Sequence, residues 1–291
     1  MATILGIGIA TLDIINTVDG FPEEDSEVRA LSQRVCRGGN VTNTLVVLSQ
    51  FGHHCAWGGV WVDETDGRQI LADLKCHNIN TSYCRAESQG KVPTSYITLN
   101  QCNGSRTIVH YRDLPELSFS DFMAIDLSPF DWLHFEGRNV AETICMLERA
   151  TKIYPSLPIS LEIEKPRHQI EKLFSKANVL LFSKVFAQHY TNTEDAASFL
   201  LAMQRLAPNA HLVCTWGTKG AYALDMDGTL LHSPAYPPSP VVDTLGAGDT
   251  FNAGIINSLC RHQEIATALD HACQLAGKKC GIEGFKGLAF S

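Results

Sequence analysis

Several features that would assign a function at once are missing from the 291-residue chain. Its 10 cysteines include no Cys-x-x-Cys pair and there is no His-Glu-x-x-His, which excludes the commonest zinc and dithiol redox signatures. The scattered thiols read as reduced, small buried hydrophobes, and His53-His54, without further ligands at metal spacing, as part of a loop. No Gly-x-x-x-x-Gly-Lys-Ser/Thr makes a P-loop, and no Gly-x-Ser-x-Gly marks a hydrolase nucleophile. No apolar run nears the roughly 20 residues of a membrane span. The first basic residue is Arg29, so the N-terminal apolar residues lack a basic leader and a cytoplasmic protein is expected. Positive charge is in deficit: 23 Lys and Arg against 31 Asp and Glu leave a net charge of -8. That surface repels nucleic acid and anionic membranes, so neither is expected as a partner, and an anionic ligand would need backbone dipoles or a metal.

What is present describes a globular α/β chain, with 45% apolar and 19% charged residues. Residues 4–10 form a short apolar run suited to a buried parallel strand. Residues 40–51 read as a helix opened by Gly38-Gly39-Asn40 and closed by Gly52; a strand over 56–61 and a helix over 66–77 follow. Two β-rich runs, 92–100 and 105–112, flank a turn containing Gly104 and predict a hairpin. With a strand-like stretch near 27–33 it can form a small separate sheet. From Asp131 strands and helices alternate: strands over 132–137, 159–164, 179–183 and 211–217, helices over 140–153, 167–176 and 193–206. This predicts one large α/β domain whose parallel sheet binds ligands beyond the carboxyl ends of its strands.

Two glycine-rich stretches compete for the ligand. Gly6-Ile7-Gly8-Ile9-Ala10-Thr11 begins like a dinucleotide fingerprint, but Thr11 stands where the third glycine belongs and no helix follows. Val242 to Gly254, VDTLGAGDTFNAG, differs: Phe251, Ile255 and Leu259 share one face of a helix over 250–260, which places Gly246, Ala247 and Gly248 at its N-terminus. Backbone N–H groups there lack intrahelical acceptors and small residues admit a phosphate, so the loop is an anion cradle. Asp249 either caps the helix or accepts a proton from a substrate hydroxyl while the cradle stabilises a transferring phosphoryl group.

VDTLGAGDTFNAG is similar to the signature of the PfkB-type, ribokinase-like carbohydrate kinases. Arg37-Gly38-Gly39-Asn40-Val41-Thr42-Asn43, about 200 residues earlier, resembles their N-terminal motif. Residues 21–34, 103–110, 134–139, 162–167 and 274–285 look like segments of the fructose-phosphorylating members. The resemblance implies a three-layer α/β/α sandwich with a mainly parallel sheet over 1–291, carrying a small β-sheet lid from segments 12–36 and 91–113. It implies ATP-dependent phosphorylation of a sugar, fructose at its C1 hydroxyl, with Mg2+ held through ATP and water and a monovalent cation such as K+ as a further cofactor. Alternatives are another ketose, a ribose-like sugar, a nucleoside, or a catalytically silent sugar-binding regulator. Position by position, Asp249 matches the base and Gly246, Ala247 and Gly248 the anion hole. Asp13, Gly39, Asn40 and Asn43 match residues holding the sugar hydroxyls, joined by Asp25 of the lid segment. Arg106, Lys184, the Gly217-Thr218-Lys219-Gly220 turn, and Cys273, Gly277 and Cys280 match the nucleotide side. The family's Asn-x-x-Glu motif is absent: Ser183-Lys184-Val185-Phe186-Ala187 stands in its place. The resemblance also implies a homodimer formed through the lid.

Overall fold

The computed structural model describes residues 1–289. In chain order its strands are β1 (Thr3–Ile7), β2 (Thr11–Val18), β3 (Ser32–Gly38), β4 (His54–Gly58), β5 (Val60–Val62), β6 (Arg85–Glu87), β7 (Thr94–Asn100), β8 (Arg106–Tyr111), β9 (Trp132–Glu136), β10 (Ile159–Ile163), β11 (Val179–Phe182), β12 (His211–Thr215), β13 (Ala221–Leu224) and β14 (Leu230–Ser233). The α-helices are α1 (Asn40–Gln50), α2 (Thr65–Cys76), α3 (Phe119–Met123), α4 (Val140–Ile153), α5 (Lys184–Thr191), α6 (Ala196–Met203), α7 (Ala247–Cys260) and α8 (Ile265–Cys280).

Among the described residues the main sheet runs β14-β13-β12-β11-β10-β9-β1-β4. It is parallel from β4 to β12 and antiparallel at the β12, β13, β14 edge. The strands β9, β10 and β11 are buried at every residue, as a sheet covered on both faces requires. One covering layer packs Phe122, Phe174, Phe186 and Phe199 against Phe135 and Leu161. The other packs Leu45 and Leu48 of α1, Ile255 and Ile256 of α7 and Leu269 of α8 against Ile4, Trp57 and Val213. This is the three-layer α/β/α sandwich. The helices α7 and α8 cross closely, because a Cβ on Gly254 would lie 2.7 Å from the Ala272 Cα.

Several elements depart from the sequence reading. The helix expected over 167–176 is a 3₁₀ helix confined to Ile170–Lys176; Pro166 and the left-handed Gln169 (φ 62°) deny it an α-helical start. The helix expected over 193–206 shortens to α6, capped by the Asp195 side chain. An unanticipated helix, α5, precedes it, capped by Ser183 and stopped at left-handed Asn192. The stretch 27–31 is not strand; β3 starts at Ser32, where pairing with Thr17 begins. The expected strand over 56–61 divides into β4 and β5, which belong to different sheets.

The second sheet, β3-β2-β7-β8, is antiparallel at both edges and parallel at its centre. It stands over the carboxyl ends of the main-sheet strands. One face presents Asp13, Ile15, Arg34, Cys36, Ser95, Ile97, Ile108 and His110 to the cleft below.

Candidate active site

Backbone geometry fixes the centre of the cleft first. The first residue before α7 is Gly246, in the left-handed region at φ 76°, and a Cβ there would lie 2.3 Å from the Phe285 ring. Only glycine meets both conditions without strain. The helix begins at Ala247 rather than Thr250, so the whole Gly-Ala-Gly-Asp stretch forms its entry and first turn. The Gly248 and Asp249 amides make no hydrogen bond within the described residues, and a Cβ on Gly248 would meet nothing within 4 Å. Unpaired donors at a helix N-terminus facing open space are the requirements of an anion site.

The loop before the helix is braced by ionic contacts. The carboxylate of Asp243 accepts from the Leu245 amide (2.9 Å), the Gly284 amide (3.2 Å) and Arg34 of the second sheet (3.0 Å). The fully buried Lys279 Nζ lies 3.3 Å from that carboxylate and donates to the Asp243 carbonyl at 2.9 Å. Burial works against ionisation of Asp243, but Lys279, the two amides and Arg34 outweigh it and hold its pKa below the ordinary value. Arg106 of β8 donates to Thr244 Oγ1 at 3.3 Å, a second tie from that sheet to the loop.

Asp249 is buried, and its Oδ2 accepts from Asn43 Nδ2 at 2.7 Å. Asn43 is oriented in turn by Arg37, which donates to its Oδ1 at 2.6 Å and is paired with Asp73 at 2.6 Å. A chain of fixed partners therefore aims the carboxylate. Its pKa is raised, first by burial and then by the charges of Glu164, Glu136 and Asp13, with the Asn43 hydrogen bond opposing. Asp13, bonded by Thr11 Oγ1 at 2.8 Å, is likewise raised by burial. Gly39 sits at φ 102°, where a Cβ would come within 2.3 Å of the Ile9 carbonyl.

Three acidic residues of this cluster were not singled out from the sequence. Glu136 ends β9, and its Oε1 accepts from the Val41 amide at 2.9 Å at the start of α1; burial pushes its pKa up to about 7. Glu162 of β10 accepts from Asn40 at 3.1 Å through Oε1, while its buried Oε2 has no partner. Burial and the Asp249 charge raise its pKa well above the ordinary value. Glu164 accepts from Asn40 at 3.3 Å. The signal was available: a carboxylate at the carboxyl end of an otherwise apolar buried strand is costly unless it serves a site.

Asp13, Gly39, Asn40, Asn43, Arg106 and the run from Gly246 to Asp249 all line one cleft of about 840 Å3. Asp25 does not; it is exposed in a turn at φ 59°. Lys184 lies with its Nζ 5.5 Å from the Trp216 ring, beside the cleft-lining Ser183 and Val185. Gly217, Thr218 and Lys219 form an exposed 3₁₀ turn two residues beyond Thr215, itself in the cleft wall; buried Gly220 closes the turn. Cys273, Gly277 and Cys280 lie on α8 outside the cleft lining: Gly277 packs on Tyr236, and the Cys280 carbonyl accepts from Val242 at 2.7 Å.

A buried carboxylate stands beside unpaired helix amides beneath the second sheet, at the strand ends of a doubly covered parallel sheet, an arrangement suited to a phosphotransferase acting on an alcohol. The family model of the pfkB family carbohydrate kinases matches residues 1–285, and the chain belongs to that family. It is 44% identical to the ketohexokinase of Mus musculus over 98% of each chain. The ribokinase of Giardia lamblia superposes with a TM-score of 0.87 over 99% of this chain and 97% of its own, at 19% identity. The Arabidopsis thaliana ribokinase complexed with ribose and ATP gives 0.80 over 97% and 94%, at 18% identity. These two establish a ribokinase-like fold.

Proposed function

We propose that the protein transfers the γ-phosphoryl group of ATP to fructose at its C1 hydroxyl. The observation that carries this reading is the pairing of Asp249 with unbonded helix amides at one point of the cleft: a proton acceptor beside a seat for developing phosphoryl charge. The 44% identity to mouse ketohexokinase supports the choice of sugar. Asp13, Asn40 and Asn43 hold the acceptor through carboxylate and amide groups, which suit a polyol. Asp249 accepts the hydroxyl proton, while the Gly246 to Gly248 turn and Arg106 stabilise the transferred group. The nucleotide extends from the cradle along Lys184, the Gly217 to Gly220 turn and the Cys273, Gly277 and Cys280 side of α8.

No group of three His, Cys, Asp or Glu among the described residues is arranged to hold a metal unaided. A divalent cation carried on the nucleotide nevertheless fits, since Glu162 Oε2 is buried without a partner and Glu164 stands beside it on Asn40. Mg2+ there would neutralise phosphate charge, with Glu162 and Glu164 as the carboxylates that hold it through water.

ATP consumption across a panel of ketoses, aldoses and nucleosides, with the phosphate located by NMR, tests the assignment. Fructose 1-phosphate is the expected product; preferred turnover of ribose or a nucleoside overturns it. Because the pKa of Asp249 is raised, the protonated, inactive form persists above the ordinary carboxylate range of about 4. We therefore expect kcat/KM for the sugar to climb with pH along an acid limb well above that value. A pH profile with its limb near 4 would remove Asp249 as the group responsible.

The lid's outer face supports a homodimer. Val35, Tyr96 and Val109 stand on that face at 43%, 46% and 66% exposure, an apolar row on a small sheet. We expect Val109→Asp to shift the protein from dimer to monomer in light scattering; an unchanged mass at micromolar concentration would place the interface elsewhere.

A further inference from the structure

The inner face of the lid is built in two rows. Strand register sets Cys36, Asp13, Ser95 and His110 side by side across β3, β2, β7 and β8, and two residues along it sets Arg34, Ile15, Ile97 and Ile108 side by side. Both rows face the cleft. The first row is polar, and its far end is hydrogen-bonded through Ser95 and His110. Thr11 Oγ1 donates to Asp13 at 2.8 Å, Ser95 stands beside Asp13 in the strand register, and Ser95 Oγ lies 3.2 Å from His110 Nδ1. The Ser95 hydroxyl has lone pairs that can accept from an Nδ1–H of His110. That tautomer leaves Nε2 as a free acceptor.

The same strand separates this acceptor from the phosphoryl end. Arg106 and His110 are four residues apart on β8, about 13 Å along an extended chain, and Arg106 reaches the cradle loop through Thr244. The charged groups around His110 lie at the other end: Arg112 beyond β8, Arg138 beyond β9, Lys165 beyond β10, and Asp13 on β2. Burial first, then Arg138, Lys165 and Arg112, depress its pKa against the opposing pull of Asp13, so the ring is neutral at neutral pH.

We infer that His110 is a specificity-determining residue: through Nε2 it accepts a hydrogen bond from an acceptor hydroxyl remote from the one phosphorylated, extending by Ser95 the polar row that begins at Asp13. The inference rests on the sugar-kinase reading above. It requires that the enzyme discriminate against ketoses whose remote hydroxyl is removed or inverted, and that this discrimination belong to His110.

The test measures kcat/KM for D-fructose, its C3, C4 and C5 epimers and 6-deoxyfructose, with wild type, His110→Phe and His110→Gln. Wild type is expected to penalise one analogue roughly tenfold or more, the worth of one hydrogen bond to a sugar hydroxyl. His110→Phe should erase that penalty by losing fructose affinity, leaving its kcat within about twofold. His110→Gln, whose amide offers an acceptor, should restore it. Identical analogue ratios in wild type and His110→Phe, at matched thermal melting, would overturn the inference. If wild type turns over no ketose at all, the proposed function itself fails, and the role of His110 with it.

Discussion

Asp249→Asn is expected to lower kcat by about 10³-fold, within the range lost with a positioned general base, while leaving fructose binding measurable by calorimetry. The geometry makes this a clean substitution. Asn43 Nδ2 donates to Asp249 Oδ2 at 2.7 Å, and an asparagine carbonyl can accept the same bond, so the position of the side chain is kept and only its basicity is lost. The surrounding negative charge points the same way: Glu164, Glu136 and Asp13 all disfavour a second buried charge, so a neutral amide should fold at least as stably. Turnover within tenfold of wild type would show that another group takes the proton.

The second large effect separates the two glycines of the cradle. Gly248→Ala should leave thermal stability unchanged or raise it by up to about 1 kcal/mol, because alanine suits a helix better than glycine and its Cβ meets nothing in the free protein. That Cβ would nonetheless project into the space beside the unpaired amides. We expect kcat to fall roughly 10²-fold, comparable to losing one donor of an oxyanion hole. Gly246→Ala should do the reverse in kind, costing about 1–3 kcal/mol of stability for a non-glycine residue at positive φ, sharpened by the Phe285 ring 2.3 Å away. Melting temperatures and ATP turnover measured on both variants check the contrast. A Gly248→Ala enzyme with full activity would mean the phosphoryl group is seated elsewhere.

The legible elements were those whose physics is local. The strands from Trp132 onward are short, mostly apolar runs without the alternation of a half-exposed strand, as burial on both faces requires. The helix α4 keeps its expected bounds because its apolar residues recur on one face. The second sheet was half legible: the hairpin β7 and β8 was visible from its turn, but β2 was not, because TLDIINTV carries Asp13 and Asn16 in a strand whose residues are all buried or half-buried, without a clean apolar-polar alternation. Likewise 3₁₀ geometry at Ile170–Lys176 and the short α5 depend on caps and a left-handed residue that periodicity does not register.

The amino-acid sequence alone determined the α/β class and the glycine-rich entry to α7, because strand burial, helix termini and the steric demands of glycine act over a few residues; it left Asp249 as cap or base, and only the resemblance of VDTLGAGDTFNAG to a kinase signature favoured the base. Tertiary structure alone decided what Asp249 meets. Asn43, 206 residues away, fixes its orientation, and Glu136 from the end of β9 and Glu162 and Glu164 from the end of β10 bring their charges to bear on this acidic cluster. Charge interactions and desolvation depend on distance in space, and those distances exist only once the sheet has brought its strand ends together.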